Sequence, residues 1–339
     1  MEAVEEARRA GLVRTTEYLL VDSASTDRTL EIASRFPLRI VRLEPSWPLS
    51  CGAGCYVGLL HARGTFTAIV NGDMTVDRRW FVDGLPYMDS DVGAVCGVAK
   101  EDLQGRTVIE RLVTRYSSAP LSVGQLSTDV ANRRNGFSTG TFLVRTEAAR
   151  MVGSYNPFFR AAEDMDLRYR LVRAGWKVLN LPVLQGVHYW PSGEEPLDVP
   201  EYFGTIFRNS VGLGQMARYN LRRDVWVSRG AAQPCLNARI LSYALLALLL
   251  LALLAVHILA AFTGHLGAIG IALLGDAIIA ASAIRGSRRW RVSPRDQLFA
   301  TTLYPPVFGL VRVVGFIRGF LPIARGPGEY PATARMMKG

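Results

Sequence analysis

Apolar residues in the first 235 positions come in short runs separated by polar turns, whereas beyond position 240 they come in long ones. The stretch 240–262 is nearly unbroken leucine and alanine, interrupted only by His257 and small hydroxyls. A helix crossing hydrocarbon needs roughly 20 apolar residues, and a core helix seldom stays apolar on every face for so long, so this run predicts a transmembrane helix. A second run, 266–284, follows a short break at Gly264 and His265 and carries Asp276, a residue costly in lipid that is expected to face the partner helix or the interface. A third, 298–323, contains Pro305, Pro306, Arg312 and Arg318 and reads as an interfacial or re-entrant segment with its arginines at headgroup level.

The earlier part alternates strand-like and helix-like segments. A charged helix is expected over 2–11. The run 18–21 ends at Asp22, and Ser25, Thr26 and Asp27 then offer caps for a helix reaching Arg35. Further strands are expected at 39–43, 65–70, 92–98, 141–145 and 177–179, with a helix at 53–62 stopped before Gly64. Strands separated by helices predict an α/β fold, a doubly wound, mainly parallel sheet covered on both faces. The organisation is therefore a domain over 1–235 and a membrane region over 236–339 holding a helical hairpin.

Charge fixes the expected orientation. The formal net charge is +10. Arg222, Arg223, Arg229 and Arg239 precede the hairpin, and Arg285, Arg288, Arg289, Arg291 and Arg295 follow it. By the positive-inside rule both ends lie in the cytoplasm, which puts the first domain on the cytoplasmic face of the membrane. Much of the basic excess thus serves topology and attraction to anionic lipid; no aromatic-interleaved basic motif or zinc-finger spacing points to nucleic acid. The N-terminal 14 residues are charged and lack the apolar core of a signal peptide. Four cysteines give no disulfide framework, and Cys51 with Cys55 lacks the second pair a structural metal site would use.

In doubly wound sheets ligands bind beyond the carboxyl ends of the strands. Two polar turns fall there, Asp22-Ser23-Ala24-Ser25-Thr26-Asp27 and Asn71-Gly72-Asp73. Each suits a bound nucleotide and its metal, and each suits equally a capped loop.

Three stretches in order, Leu19-Leu-Val-Asp-Ser-Ala-Ser-Thr-Asp-Arg-Thr29, Ala62-Arg-Gly-Thr-Phe-Thr-Ala-Ile-Val-Asn-Gly-Asp-Met74 and Ala162-Glu-Asp-Met-Asp-Leu-Arg-Tyr-Arg-Leu171 with Gly175, resemble the family 2 glycosyltransferases over about residues 15–190. The resemblance implies a GT-A fold, a nucleoside-diphosphate sugar donor, a divalent Mg²⁺ or Mn²⁺ ion and inversion at the anomeric carbon. It makes Asp22 a nucleobase contact, with Ser25 in the same turn. Asp73 becomes the leading metal ligand, with Asn71 replacing the first acidic residue of that motif. Glu163-Asp164 becomes the catalytic acidic pair, Asp164 being assigned as general base because Leu167 and Leu171 put it on the buried stripe. The same acidic residues would also favour a helix N-terminus and pair with Arg168 or Arg170. His188 is a possible further metal ligand or a structural histidine, and Gly140, in Asn135-Gly-Phe-Ser-Thr-Gly-Thr141, permits close approach to the donor sugar. Segment 202–219 is an amphipathic helix that lies on the membrane or covers the donor.

Two departures stand out. The family's first strand, with its nucleotide-binding turn, has no counterpart before the helix at 2–11, and Cys55 occupies a position where the family often has an arginine near the diphosphate. The expected activity is sugar transfer to a lipid-linked or cell-surface glycan at the cytoplasmic membrane face; the alternative is a degenerate, non-catalytic protein of the same fold serving as a binding module.

Overall fold

A computed structural model describes residues 1–102, 124–126, 142–189, 199–221, 238–290, 304–322, 325–330 and 335–338. Helix α1 (Glu2–Arg9) has Glu2 and Glu5 in its first turn and Arg8 and Arg9 in its last, each complementing the helix dipole, and Gly11 at φ 72° turns the chain away after it. Strand β1 (Leu19–Asp22) pairs in parallel with β2 (Arg39–Arg42) across the short helix α2 (Thr29–Ala33). Helix α3 (Cys51–His61) starts at Ser50, whose hydroxyl accepts the Ala53 N–H at 3.1 Å and donates to the Pro157 carbonyl at 2.6 Å.

The second sheet runs in the order β3 (Phe66–Ile69), β7 (Phe142–Arg145), β5 (Val92–Asp102), β8 (Lys177–Tyr189), β4 (Met74–Val76), with β6 (Gly124–Leu126) also on β8. Side chains alternate across it. Phe142 and Val144 enter the layer under α3, α5 (Thr146–Met151) and α6 (Glu163–Arg173) with Leu59, Cys96, Leu167 and Leu171. Leu143 and Val95 enter the opposite layer with Ala3 and Ala7 of α1, and with Trp80 and Phe81 of α4 (Trp80–Gly84). Burial on both faces explains the continuous apolar runs read from the sequence. The expected mainly parallel arrangement is corrected: β7 lies antiparallel to both β3 and β5, β4 is antiparallel to β8, and only β1–β2 and β5–β8 are parallel among the described pairs.

The long C-terminal helices follow the sequence closely. Helix α7 (Val199–Leu221) packs on α10 (Tyr304–Phe320) through glycines: a Cβ at Gly319 would strike the Val211 carbonyl, and one at Gly214 the Phe316 carbonyl. Arg318 stacks 5.7 Å over Phe207 and Arg218 5.6 Å over Phe320, so the 304–320 helix is fastened to α7 from both sides. Gly319→Val should therefore push the two helices apart and cost about 1–3 kcal/mol, read as a lowered unfolding temperature of the detergent-purified protein.

Helices α8 (Ala238–Thr263) and α9 (Leu266–Trp290) pack together, turning at Gly264 with φ 61°. Asp276 meets the partner helix as expected, its Oδ2 lying 3.0 Å from His257 Nε2. Leu248, Leu251, Phe262, Leu266 and Leu273 are all exposed, Phe262 at 87%. Among the described residues no helix is long and apolar enough to cross a membrane.

After this hairpin the chain returns to the first domain. Strand β9 (Arg335–Lys338) pairs antiparallel with β2, and Tyr330 sits edge-on to Trp47, Tyr56 and Phe158 with its hydroxyl donating to the Pro48 carbonyl at 3.1 Å.

Candidate active site

Helix α6 carries the acidic pair. Glu163, Asp164 and Asp166 fill its first turn, where the helix dipole favours them, and Arg170 and Arg173 fill the last. Its N-cap, Ala162, is held left-handed at φ 66°. The other non-glycine residues with positive φ among the described ones are Ala24, inside the Asp22 turn, and Ser154, in the loop preceding α6. Such backbone costs on the order of 1 kcal/mol each, and it falls in turns next to the candidate acidic residues.

The loop is held from several sides. Arg170 bonds Asp166 at 2.6 Å and donates to the carbonyls of Val152 and Ser154. Gln215 of α7 accepts the Arg160 N–H at 2.9 Å and donates to the Phe158 carbonyl at 3.1 Å. Gly52 at the start of α3 lies so close to the Asn156 carbonyl that a Cβ would sit 2.5 Å from it, which brings Cys51 against Glu163.

Asp164 is 8% exposed and Leu167 and Leu171 are fully buried, as the helical spacing indicated. Its Oδ2 accepts from Arg168 Nη2 at 2.6 Å and its Oδ1 from the Met165 N–H at 2.7 Å. Arg168 is itself 1% exposed and lies 5.3 Å over the Phe142 ring. Both arginine pairings foreseen as the alternative role of this acidic cluster are thus made, Asp164–Arg168 and Asp166–Arg170. Glu163 is different. Burial, and after it the charge of Asp164, raises its pKa to about 7, while the Cys51 thiol and Arg168 pull the other way. Neighbouring Tyr155 is 1% exposed, its hydroxyl has no partner among the described residues, and burial pushes its pKa well up. Cys55, 4.0 Å from Cys51 between sulfurs, is also pushed up, by its bond with Cys51 and then by burial. No pattern in the residues pointed to these two thiols as neighbours of the acidic pair.

The other candidate turn lies at the same end of the sheet. Ile69 is in register with Phe142, on whose ring Arg168 stacks, and the chain continues from Ile69 to Asn71 and Asp73. Asp73 is exposed, and its carbonyl accepts the Tyr189 N–H at 2.8 Å. Met74 is in register with His188, so the backbone sets position 188 beside the Asn71-Gly72-Asp73 turn. Among the described residues no group of three or more histidines, cysteines or acidic residues converges as a metal site. Asp22 and Ser25 come together, but in a turn of their own: Asp22 is 3% exposed and both its oxygens accept the Ser25 N–H, at 3.1 and 3.3 Å. Arg42, which the sequence did not single out, closes that turn by bonding the Ser25 carbonyl at 3.0 Å. Asp27 accepts the Thr29 N–H at 3.0 Å, the capping role expected of it. Gly140 lies outside the described residues.

Residues 2–163 match the sequence model of the family described as Glycosyl transferase family 2. That stretch is similar to the family 2 glycosyltransferases. Nothing among curated proteins matches the chain. Among solved structures it is similar to the mannosyltransferase PcManGT from Pyrobaculum calidifontis in complex with GDP-Man and Mn²⁺, at 18% identity and a TM-score of 0.55, over 94% of this chain and 83% of that one. A more distant likeness is TarS 1–349 of S. aureus in complex with UDP-GlcNAc, at 15% identity and a TM-score of 0.43, over 90% of this chain and 80% of that one. The chain has the GT-A type α/β fold.

Proposed function

We propose that the protein transfers a sugar, with inversion, from a nucleoside-diphosphate donor to a hydroxyl of a lipid-linked or cell-surface glycan at the cytoplasmic face of a membrane. The observation that carries this reading is the shared end of the sheet at which the Glu163-Asp164 pair and the Asn71-Gly72-Asp73 turn both lie. A donor lying along that edge has its anomeric carbon between a diphosphate-holding turn and a proton acceptor, as displacement from the opposite face requires.

The donor set at the turn fits a Mg²⁺ or Mn²⁺ ion. Asp73 offers an exposed carboxylate, the backbone of strand β8 sets position 188 beside it, and diphosphate oxygens complete the coordination of a hard cation that binds by sharing ligands with its substrate. When bound, the ion neutralises charge gathering on the departing diphosphate. The residues themselves orient the donor and receive the acceptor proton.

The hairpin supports a membrane site of action. Its exposed leucines and phenylalanine form an apolar surface of the sort that water disfavours, and the basic residues at 239 and 285–289 flank both ends on one side. The first test uses the full chain in phospholipid vesicles with GDP-mannose or UDP-GlcNAc and Mn²⁺. Release of nucleoside diphosphate is expected and chelation by EDTA should stop it; absence of donor binding by calorimetry for either nucleotide sugar rejects the reading.

A further inference from the structure

Cys51 and Cys55 stand about one turn apart on the same face of α3, with their sulfurs 4.0 Å from each other. Cys51 is exposed and Cys55 partly so, which leaves the pair open to solutes. A Cβ at Gly52, between them, would meet the Asn156 carbonyl and the Glu163 side chain, and the Glu163 carboxylate accepts a hydrogen bond from the Cys51 thiol. Cys55 neighbours Tyr155, which is 1% exposed and whose hydroxyl has no partner among the described residues. A buried donor left without an acceptor is uncommon and calls for an explanation.

Two chemistries are open to neighbouring thiols, and the spacing separates them. A disulfide needs its Cβ atoms roughly 3.5–4.5 Å apart, whereas residues four apart on a helix hold theirs about 5–6 Å apart, so α3 would have to unwind to form one. A tetrahedral ion with metal–sulfur bonds of about 2.3 Å places two sulfurs roughly 3.8 Å apart, close to the 4.0 Å found here. We propose that Cys51 and Cys55 form a site for one thiophilic divalent ion, Zn²⁺ or Cd²⁺, beside the acidic pair and separate from the hard-cation turn at Asp73. Both thiols pass their protons to water as two metal–sulfur bonds form, so that a dication and two thiolates make a neutral unit. Among the described residues no group of three cysteines, histidines or acidic residues closes around an ion, so water fills the remaining positions. Binding is therefore reversible, unlike that of a structural zinc held by four protein ligands.

Soft thiolates select such an ion over Mg²⁺ and Mn²⁺, which favour oxygen. The thiolate formed at Cys55 gives the Tyr155 hydroxyl the acceptor it lacks, and Tyr155 is thereby a positioning residue that holds this ligand from behind. An ion at the pair takes the Cys51 sulfur away from Glu163 and sets a dication beside the acidic pair, so transfer stops while it is bound. That consequence alone rests on the transferase reading above; the binding does not.

The test titrates the reduced, full-length protein in detergent with CdCl₂, following the ultraviolet charge-transfer absorption of cadmium–thiolate bonds, and then displaces the ion with Zn²⁺. Wild type should take up a single Cd²⁺ per chain; C51S and C55S should lose the signal and C235S should keep it, with C51A and C55A replacing any serine variant that fails to fold. Y155F should retain the spectrum and bind about 10–100-fold more weakly, and unchanged affinity would remove the role given to Tyr155. No signal in wild type, a signal that survives C51S/C55S, or half an ion per chain overturns the site. Inhibition is read as release of nucleoside diphosphate from GDP-mannose or UDP-GlcNAc at saturating Mn²⁺. Zn²⁺ at about ten times its Kd should lower the wild-type rate roughly tenfold, in proportion to the vacant fraction, and leave C51S/C55S near its own zinc-free rate. Equal inhibition of both proteins puts the zinc at the Asp73 turn and overturns the inhibitory role. Cd²⁺ held by the thiol pair in a protein that turns over neither donor supports the site and counts against the transferase reading alone.

Discussion

Arg168→Met is expected to cost the folded state about 3–5 kcal/mol, among the largest losses any single substitution in this chain should produce. The side chains of Arg168 and Asp164 are 2% and 11% exposed, and the pair is joined at 2.6 Å. Removing the guanidinium leaves a carboxylate in an apolar layer with Phe142, Leu167 and Leu171, where solvation by the protein cannot replace it. The pair as a whole need not be worth that much, since desolvating two charges offsets most of their attraction. Hence R168M/D164N, with both charges gone, should lose less than the sum of the single variants. Urea unfolding of the four proteins measures this; additive losses would mean that the pair is not coupled. Exposed pairs such as Arg28–Glu31 and Arg79–Asp83 should show almost nothing in the same assay, because solvent screens them.

Asp73→Ala should have the largest effect on turnover that leaves the fold intact. The Asn71-Gly72-Asp73 turn contains a single carboxylate, so the substitution takes away the only formal negative charge that the turn offers a cation. Loss of cation-dependent release of nucleoside diphosphate by about 10²-fold or more is expected, on the scale of removing a principal charge-stabilising group from an active site. Raising Mn²⁺ should recover part of it, because the diphosphate supplies ligands of its own. The unfolding temperature should stay within a degree or two, since Asp73 is exposed and its backbone carbonyl, which accepts the Tyr189 N–H, survives the substitution. Undiminished turnover in Asp73→Ala would remove the cation from this turn.

Much of this arrangement was legible in the residues. The helices at 2–9, 51–61, 163–173 and 199–221 overlap the stretches expected from apolar spacing, caps and the family resemblance, and Leu167 and Leu171 led correctly to the burial of Asp164. Strand direction was not legible. Phe142–Val144 is buried on both faces, and a doubly buried strand reads as the same apolar run whether it lies parallel or antiparallel to its neighbours. Strand β4 has three residues, too few for any alternation, and β9 is Arg335-Met-Met-Lys338, whose terminal charges suit a strand at a sheet edge but give no pattern. At the site, pairing of Arg168 with the acidic cluster followed from four-residue spacing, whereas its depth did not, because an arginine on a helix is usually solvated. Nothing in the sequence distinguished Glu163 from Asp164 in environment; that difference arises from α3 and the loop at 154–162, more than a hundred positions apart in the chain in the case of Cys51 and Glu163.

The pairing of β9 with β2 has a consequence for biogenesis. The sheet that ends in the Asp22 turn is completed by residues near the end of the described chain, and all the long apolar helices leave the ribosome before them. Pairing partners separated by nearly the whole polypeptide close late, and domains otherwise tend to fold as they emerge. A newly made copy therefore carries an unfinished sheet edge until residues 335–338 have emerged, so the Asp22 turn is closed only after the helices at 238–320 have been made.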